Sequence, residues 1–72
     1  MSKLPIISAK KAVKFFIKQG YSVTRQRGSH IRLHHLYKKP LTIPNHRVVG
    51  RGLLRKLLRD SEISVSELIE NL

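Results

Sequence analysis

Four histidines are the residues of this chain best suited to proton-transfer chemistry: His30, His34, His35 and His46. The chain has no cysteine, so it offers neither a thiolate nucleophile nor a cysteine ligand for zinc. All of its carboxylates lie after residue 59, whereas hydrolysis by paired Mg²⁺ or Mn²⁺ needs carboxylate ligands around the ions. We therefore exclude a two-metal nuclease, and acid–base chemistry in the first 59 residues falls to the imidazoles.

The distribution of charge favours an anionic partner. The chain contains 15 Lys and Arg against 4 Asp and Glu, a formal net charge of +11. All the bases lie between Lys3 and Arg59, and the acids follow them at Asp60, Glu62, Glu67 and Glu70. A surface kept charged for solubility usually mixes both signs, and a membrane-surface protein needs one long amphipathic helix with large apolar anchors. The phosphate backbone of a nucleic acid explains the pattern better.

The length of 72 residues predicts one small domain, residues 1–72, with a thin core and no room for an enclosed cofactor. No apolar run approaches the roughly 20 residues that span a bilayer, and nothing requires an oxidising compartment. No His-x3-His pair lies in a predicted helix, and strand alternation separates His34 from His35. We expect a cytoplasmic protein without a metal, a cofactor or a membrane partner.

A basic amphipathic helix is predicted over residues 9–19, with Ser8 as the N-cap and Gly20 just beyond its end. Its apolar face combines Ala9, Ala12, Val13, Phe16 and Ile17. The opposite face carries Lys10, Lys11, Lys14 and Lys18. We call these four lysines the lysine ridge, and we expect it to remain in solvent when the apolar face packs.

Alternating residue types predict two strands joined by a turn at Gly28. In the first, Tyr21, Val23 and Arg25 alternate with Ser22, Thr24 and Gln26, and the strand runs to Arg27. In the second, residues 29–35, Ile31 and Leu33 face the core, and His30, Arg32 and His34 share the other face. His35 is expected on the core side or its rim, in a structural role.

Leu41-Thr42-Ile43 predicts a third strand that ends at Pro44, and an antiparallel meander is the simplest pairing. After the loop 45–51, a second amphipathic helix is marked by Leu53, Leu54, Leu57 and Leu58, with Arg51, Arg55 and Arg59 along its flank. A capping box at residues 64–67 predicts a short C-terminal helix, and a hydrophobic contact between Ile63 and Leu68 would support its first turn.

This order predicts an α+β fold, α-β-β-β-α with a short C-terminal helix and the helices on one face of a three-stranded antiparallel sheet. It is the arrangement of double-stranded RNA-binding domains, whose basic surfaces contact phosphates and 2′-hydroxyls. Many small α+β domains share the order, so the fold alone does not decide function.

Three segments resemble the HicA (YcfA-like) toxins: Arg25-Gln26-Arg27-Gly28-Ser29-His30, Ile43-Pro44-Asn45-His46 and the run from Gly52 to Asp60. The resemblance extends over nearly the whole chain, from Leu4-Pro5 onward, although Val48-Val49 departs from the family's usual loop. It implies a small, ribosome-independent endoribonuclease (mRNA interferase) that acts on mRNA and is inhibited by a HicB-type antitoxin. It also implies that His30 of the Gly-Ser-His motif is the catalytic residue.

The remaining candidate residues are predicted to contact RNA. The set is Lys10, Lys14, Lys18, Arg25, Arg27, Ser29, Arg32, His46 and Arg55. In this hypothesis the lysines and the Arg55 flank bind phosphates, so that a phosphodiester lies over residues 28–30 and His30 acts as general acid or base on the ribose 2′-OH.

Two other functions use the same basic surfaces. A non-catalytic module for structured RNA would need no imidazole, and it would bind RNA without shortening it. A DNA-binding regulator ranks last, because no helix-turn-helix spacing is present.

Overall fold

The computed structural model describes residues 3–72 and confirms the predicted order of elements. The elements are α1 (Ala9–Lys18), β1 (Ser22–Arg27), β2 (His30–His34), β3 (Leu41–Pro44), α2 (Arg51–Ser61) and α3 (Val65–Glu70). The three strands form one antiparallel sheet in the order β1-β2-β3, with the helices packed on one face. The molecule measures 35 × 27 × 17 Å, and its thinnest dimension fits one sheet covered by one layer of helices.

The alternation of β2 separates an inner and an outer face of the sheet. Ile31 and Leu33 are buried, and they lie opposite Ile43 and Leu41 of β3. His30, Arg32 and His34 are exposed on the other side. We call the helix-covered side the inner face and the solvent side the outer face.

Strand β1 contains a bulge that the strict alternation did not predict. Val23 is paired with Leu33 and Arg25 with Arg32, so Thr24 is an extra residue between them. Without the bulge, Arg25 would share the face of Val23. The bulge shifts the alternation by one residue, and Arg25 therefore lies on the outer face, opposite Arg32.

Helix α1 begins as predicted and ends one residue earlier, at Lys18. The Ser8 hydroxyl caps it by accepting a hydrogen bond from the Lys11 N–H at 3.2 Å. Its buried face differs from the predicted one, because Phe15 is 2% exposed and Ile17 is 48% exposed. The C-terminal residues explain the difference: they lie beside the flank of α1 that carries Phe15, where Asn71 and Leu72 line the same shallow cavity.

Helices α2 and α3 complete the core. Leu54, Leu57 and Leu58 of α2 are buried, as the leucine spacing indicated. Ser64 caps α3 by accepting a hydrogen bond from the Glu67 N–H at 3.1 Å, and Leu68 is fully buried. Within residues 3–72, the helices are too short and too polar to cross a bilayer.

One corner of the molecule joins three separate segments through backbone hydrogen bonds. The N-terminal segment pairs with the loop before α2 at Ile7 and Val49, and the Ala9 N–H donates to the His46 carbonyl at 3.1 Å. The Asn45 N–H donates to the Ser29 carbonyl. The start of α1, the β1–β2 turn and the loop 45–49 therefore support one another at the end of the sheet where His30 lies.

Candidate active site

The outer face carries a shallow cavity of about 590 Å³ that contains His30. It is lined by Thr24, Arg25, Arg27, His30, Arg32, His34 and Thr42. Three strands contribute to it, and every charged group in the lining is basic. We call it the outer-face cavity.

His30 is placed in this cavity by the turn that precedes it. Arg27 and His30 form the last pair between β1 and β2, so that only Gly28 and Ser29 connect the two strands. Gly28 has φ of 56° and Ser29 does not have a positive φ, which is the pattern of a type II′ hairpin. The turn fixes the start of β2, and the alternation then directs the exposed His30 side chain outward.

The cavity brings basic residues directly opposite each other. Arg25 is the cross-strand partner of Arg32, and Arg27 is the partner of His30. Directly opposite side chains on one face have Cβ atoms about 5 Å apart, where like charges are destabilising. An anion bound between Arg25 and Arg32 would relieve the repulsion between their guanidinium groups.

Two threonines hold basic side chains of the cavity in place, and the sequence analysis missed both. The Arg32 NH1 group donates to Thr42 Oγ1 at 2.7 Å, and Thr24 Oγ1 lies 2.6 Å from His34 Nδ1. Thr42 could have been found from the register of β3 against β2. The alternation placed Thr24 on the face of Ser22, but its contact with His34 depends on how β1 pairs with β2.

His30 and His34 do not form a catalytic pair. They lie four residues apart on β2 with Arg32 between them, so their Cα atoms are roughly 13 Å apart at about 3.3 Å per residue. One phosphodiester cannot bridge that distance. His34 therefore cannot share acid–base chemistry at the Gly-Ser-His turn with His30.

His35 has the structural role that was expected. Its Nε2 lies 3.2 Å from the Gln19 carbonyl oxygen, and its Nδ1 accepts hydrogen bonds from the N–H groups of Tyr37 and Lys38. The ring also packs edge-on against Tyr21, with centroids 4.9 Å apart. Both of its nitrogens are used to join α1 to the β2–β3 turn.

The lysine ridge does not reach the cavity. Lys10, Lys14 and Lys18 are exposed, but α1 buries its apolar face against the inner face of the sheet, so the ridge lies on the opposite side of the molecule from His30. Lys10 follows the hydrogen bond between Ala9 and His46 and is therefore nearest to the His30 end, whereas Lys14 and Lys18 lie about 6 and 12 Å farther along the axis. These lysines therefore lie apart from residues 28–30, over which the hypothesis places the phosphodiester.

The other predicted RNA contacts divide into two groups. Arg25, Arg27 and Arg32 line the outer-face cavity with His30. Ser29, His46 and Arg55 are exposed but do not line it. Ser29 and His46 belong to the corner where the three segments meet, and Arg55 lies on the solvent side of α2.

No metal-binding group of three His, Asp or Glu side chains occurs within residues 3–72. The acids lie beyond residue 59, in the last residues of α2, in α3 and in the segment between them. What the outer-face cavity itself offers is two imidazoles, His30 and His34, and three guanidinium groups. These groups can transfer a proton and neutralise negative charge.

The fold and the cavity together define a small basic α+β protein with the element order of a double-stranded RNA-binding domain and a histidine exposed among arginines. The family model for the HicA toxin of bacterial toxin–antitoxin systems matches residues 9–63. The chain therefore belongs to the HicA toxin family, as the resemblance in its motifs implied. No curated protein and no solved structure matches the sequence.

Proposed function

We propose that this toxin is an endoribonuclease that cleaves mRNA at the outer-face cavity, with His30 as its catalytic residue. The observation that carries the proposal is the exposed imidazole of His30 in a cavity that also contains three arginines and no carboxylate. Membership in a toxin family supports an activity that harms the cell unless an antitoxin is present.

Binding of the substrate would follow from the charge of the cavity. A phosphodiester placed near His30 lies beside Arg27, the cross-strand partner, and within reach of Arg32 on the same strand. Guanidinium groups bind phosphate oxygens through paired N–H donors, which positions the phosphorus as well as attracting it. Arg25 adds a further positive charge across from Arg32.

The proposed reaction uses the ribose 2′-OH as nucleophile. His30 accepts the 2′-OH proton while the O2′–P bond forms, and the P–O5′ bond then breaks. The leaving O5′ takes up a proton, either from the imidazolium or from water, which leaves a cyclic 2′,3′-phosphate and a free 5′-OH. Arginine groups stabilise the extra negative charge on the phosphorane oxygens. A single acid–base group is worth about 10²–10⁴ in rate, and DNA should resist because it has no 2′-OH.

The remaining basic residues would contribute affinity at a distance from the reaction. Ser29 and His46 lie at the corner next to the His30 end of the sheet, and Lys10 adjoins it. Lys14, Lys18 and Arg55 lie outside the cavity, and we propose that they bind other phosphates of a long RNA. Such contacts raise affinity regardless of sequence and depend strongly on salt.

The test is cleavage of mRNA in EDTA by wild-type protein and by the His30→Ala and His30→Gln variants. Wild type is expected to remain active in the chelator, and both variants are expected to lose about 10²-fold or more in rate. Gln retains hydrogen-bonding groups but cannot carry the proton, so it separates proton transfer from simple binding. His30 is exposed, so both variants should unfold at the wild-type temperature.

Two results would contradict the proposal. Loss of wild-type activity in EDTA would overturn the metal-free reaction, and full activity of both variants would overturn the assignment of His30. The lysine ridge also supports a second candidate, a non-catalytic RNA-binding module, because it lies on the face opposite His30. Tight binding with unchanged RNA length after long incubation would favour that candidate.

We also propose that an acidic HicB-type antitoxin inhibits the toxin by covering the outer-face cavity. Only this face holds both His30 and its arginine neighbours. A neighbouring gene that encodes an acidic protein of similar or somewhat larger size would support the pairing. Charge complementarity supplies the long-range attraction for such a complex.

A further inference from the structure

We infer that the outer-face cavity binds one extended RNA strand along β2, with three consecutive phosphates over His30, Arg32 and His34. We call these three residues the phosphate row. The inference rests on the proposed function and specifies its substrate as single-stranded RNA. The cleaved bond lies at the His30 end of the row, and the two further phosphates lie on one side of it.

The spacing of the row fits the backbone of a nucleic acid. Outward side chains of a strand repeat every second residue, or roughly 6.6 Å. Consecutive phosphates on one RNA strand are separated by a comparable distance, the span of one sugar and its linking oxygens. An extended strand parallel to β2 therefore presents one phosphate to each outward side chain.

The two residues beyond His30 are already held in position by the neighbouring strands. Thr42 of β3 accepts the hydrogen bond from Arg32, and Thr24 of the β1 bulge lies within hydrogen-bond distance of His34 Nδ1. The Thr24 hydroxyl is also 3.4 Å from the Arg32 carbonyl oxygen. If the Thr24 hydroxyl donates to His34 Nδ1, the proton of the neutral ring lies on Nε2, which can then donate a hydrogen bond to a phosphate oxygen. Side chains that are ordered in advance lose less entropy on binding.

The shape of the cavity favours a single strand over a duplex. Its volume of about 590 Å³ suits a short piece of one strand. Its cations lie on two neighbouring strands about 5 Å apart. The two backbones of an A-form duplex are instead separated by a wide, shallow minor groove. In-line attack by the 2′-OH also needs a sugar–phosphate linkage that can rotate out of helical geometry.

The experiment uses short single-stranded oligomers with randomised bases, 2′-O-methylated except for one central ribonucleotide that fixes the cleaved bond. Each neighbouring phosphate is replaced in turn by an uncharged methylphosphonate. We expect replacement at the first and second positions on one side of the cleaved bond to lower kcat/KM about tenfold each, as expected for a lost charged hydrogen bond. Replacement on the other side should have little effect.

Variants assign each position to a residue. In the His34→Gln variant, replacing the second phosphate by methylphosphonate should not lower kcat/KM further, because the residue that binds it is gone. Replacing the first phosphate, which Arg32 binds, should still lower kcat/KM about tenfold. Thr24→Val should weaken the second position in the same way, and Thr42→Val the first, without a change in unfolding temperature. A merely structural role for either threonine would not produce this position-specific loss. The matched control is Lys56→Gln, which removes one exposed charge on α2 and should leave the whole pattern unchanged.

A binding measurement separates this inference from the catalytic proposal. The His30→Ala variant is titrated with a fully 2′-O-methylated strand, which cannot be cleaved. Arg32→Gln in this background should lower the slope of log K against log salt by about 0.7, the value for one phosphate contact on a single strand, and Lys56→Gln should lower it less. If these results hold while wild type cleaves nothing, the catalytic assignment fails and the phosphate row stands. Equal methylphosphonate effects on both sides, or preferential binding of a duplex of the same sequence, would overturn the row.

Discussion

At the scale of single residues, position determines what each histidine can do. His35 and His30 have the same side chain, but His35 is engaged at both ring nitrogens between α1 and the β2–β3 turn. His30 is exposed beside Arg27 on the outer face. Strand alternation was sufficient to predict this division, because the buried Ile31 and Leu33 determine which way the neighbouring side chains point.

Tyr21 links stability to alkaline pH. Its ring is buried, and its hydroxyl donates a hydrogen bond to the Lys39 carbonyl at 2.8 Å. Burial raises the pKa of Tyr21, and the carboxylates of Asp60 and Glu62 raise it further. Tyr21 therefore ionises at a lower pH in the unfolded chain than in the folded protein. Its contribution to the free energy of unfolding should be constant below pH 10 and fall as the pH rises above 10.

The variant Tyr21→Phe tests this link. It should lose about 1 kcal/mol at neutral pH, because the hydrogen bond to Lys39 is removed. Above pH 10 it should lose stability less steeply than wild type, since it has no group to ionise at this position. Denaturant unfolding between pH 7 and 11 provides the comparison, and parallel pH curves for the two proteins would refute the link.

Two glycines with positive φ are expected to differ in their tolerance of a side chain. A Cβ at Gly20, where φ is 99°, would lie 2.8 Å from His35 Nε2, whereas a Cβ at Gly28, where φ is 56°, would meet nothing within 4 Å. Gly28→Ala should cost about 1 kcal/mol of backbone strain. Gly20→Ala should cost about 2 kcal/mol or more, because the His35 ring must also move away from Gln19. Equal losses in urea unfolding would be inconsistent with this contact.

At the scale of secondary-structure elements, the bulge in β1 decides which residues enter the cavity. Deleting Thr24 should leave a regular ladder with the same pairs, Val23 with Leu33 and Arg25 with Arg32. We expect this deletion to destabilise the protein only slightly while releasing His34 from its partner. The control is deletion of Gln26, which would place Arg27 opposite Ile31 on the inner face and should cost considerably more. Circular dichroism and chemical unfolding of the two variants are the measurements.

The elements also show what the sequence could and could not predict. The bounds of α1 and the meander followed from caps, turns and alternation, which act over a few residues. The bulge did not, because it depends on how β1 pairs with β2 across the sheet. The burial of Phe15 instead of Ile17 was likewise missed, since it depends on where the last residues of the chain pack. In the cavity, the outward positions of His30 and Arg32 were predictable from β2 alone. Arg25 also lines the cavity, but the alternation assigned it to the face of Val23.

At the scale of the whole molecule, two basic surfaces face in opposite directions. The outer-face cavity and the lysine ridge lie on either side of a structure 17 Å thick, and the net charge is +11. We expect the association rate with an acidic antitoxin to fall steeply with ionic strength, by roughly tenfold or more between 50 and 500 mM salt. Stopped-flow mixing measures this rate, and a rate independent of salt would contradict electrostatic attraction between the partners.

The corner that joins the start of α1 to the loop 45–49 has a practical consequence for anyone handling this protein. Leu4 and Ile7 precede the region that the family model matches, yet the Leu4 carbonyl accepts a hydrogen bond from Arg51 and the Ile7 carbonyl accepts one from the Val49 N–H. Asn45, in the same loop, supports the Ser29 carbonyl beside His30. A shortened amino end or a bulky affinity tag fused there would disturb the hairpin that presents the imidazole, so an inert preparation could reflect how the gene was cloned and not the chemistry of the toxin.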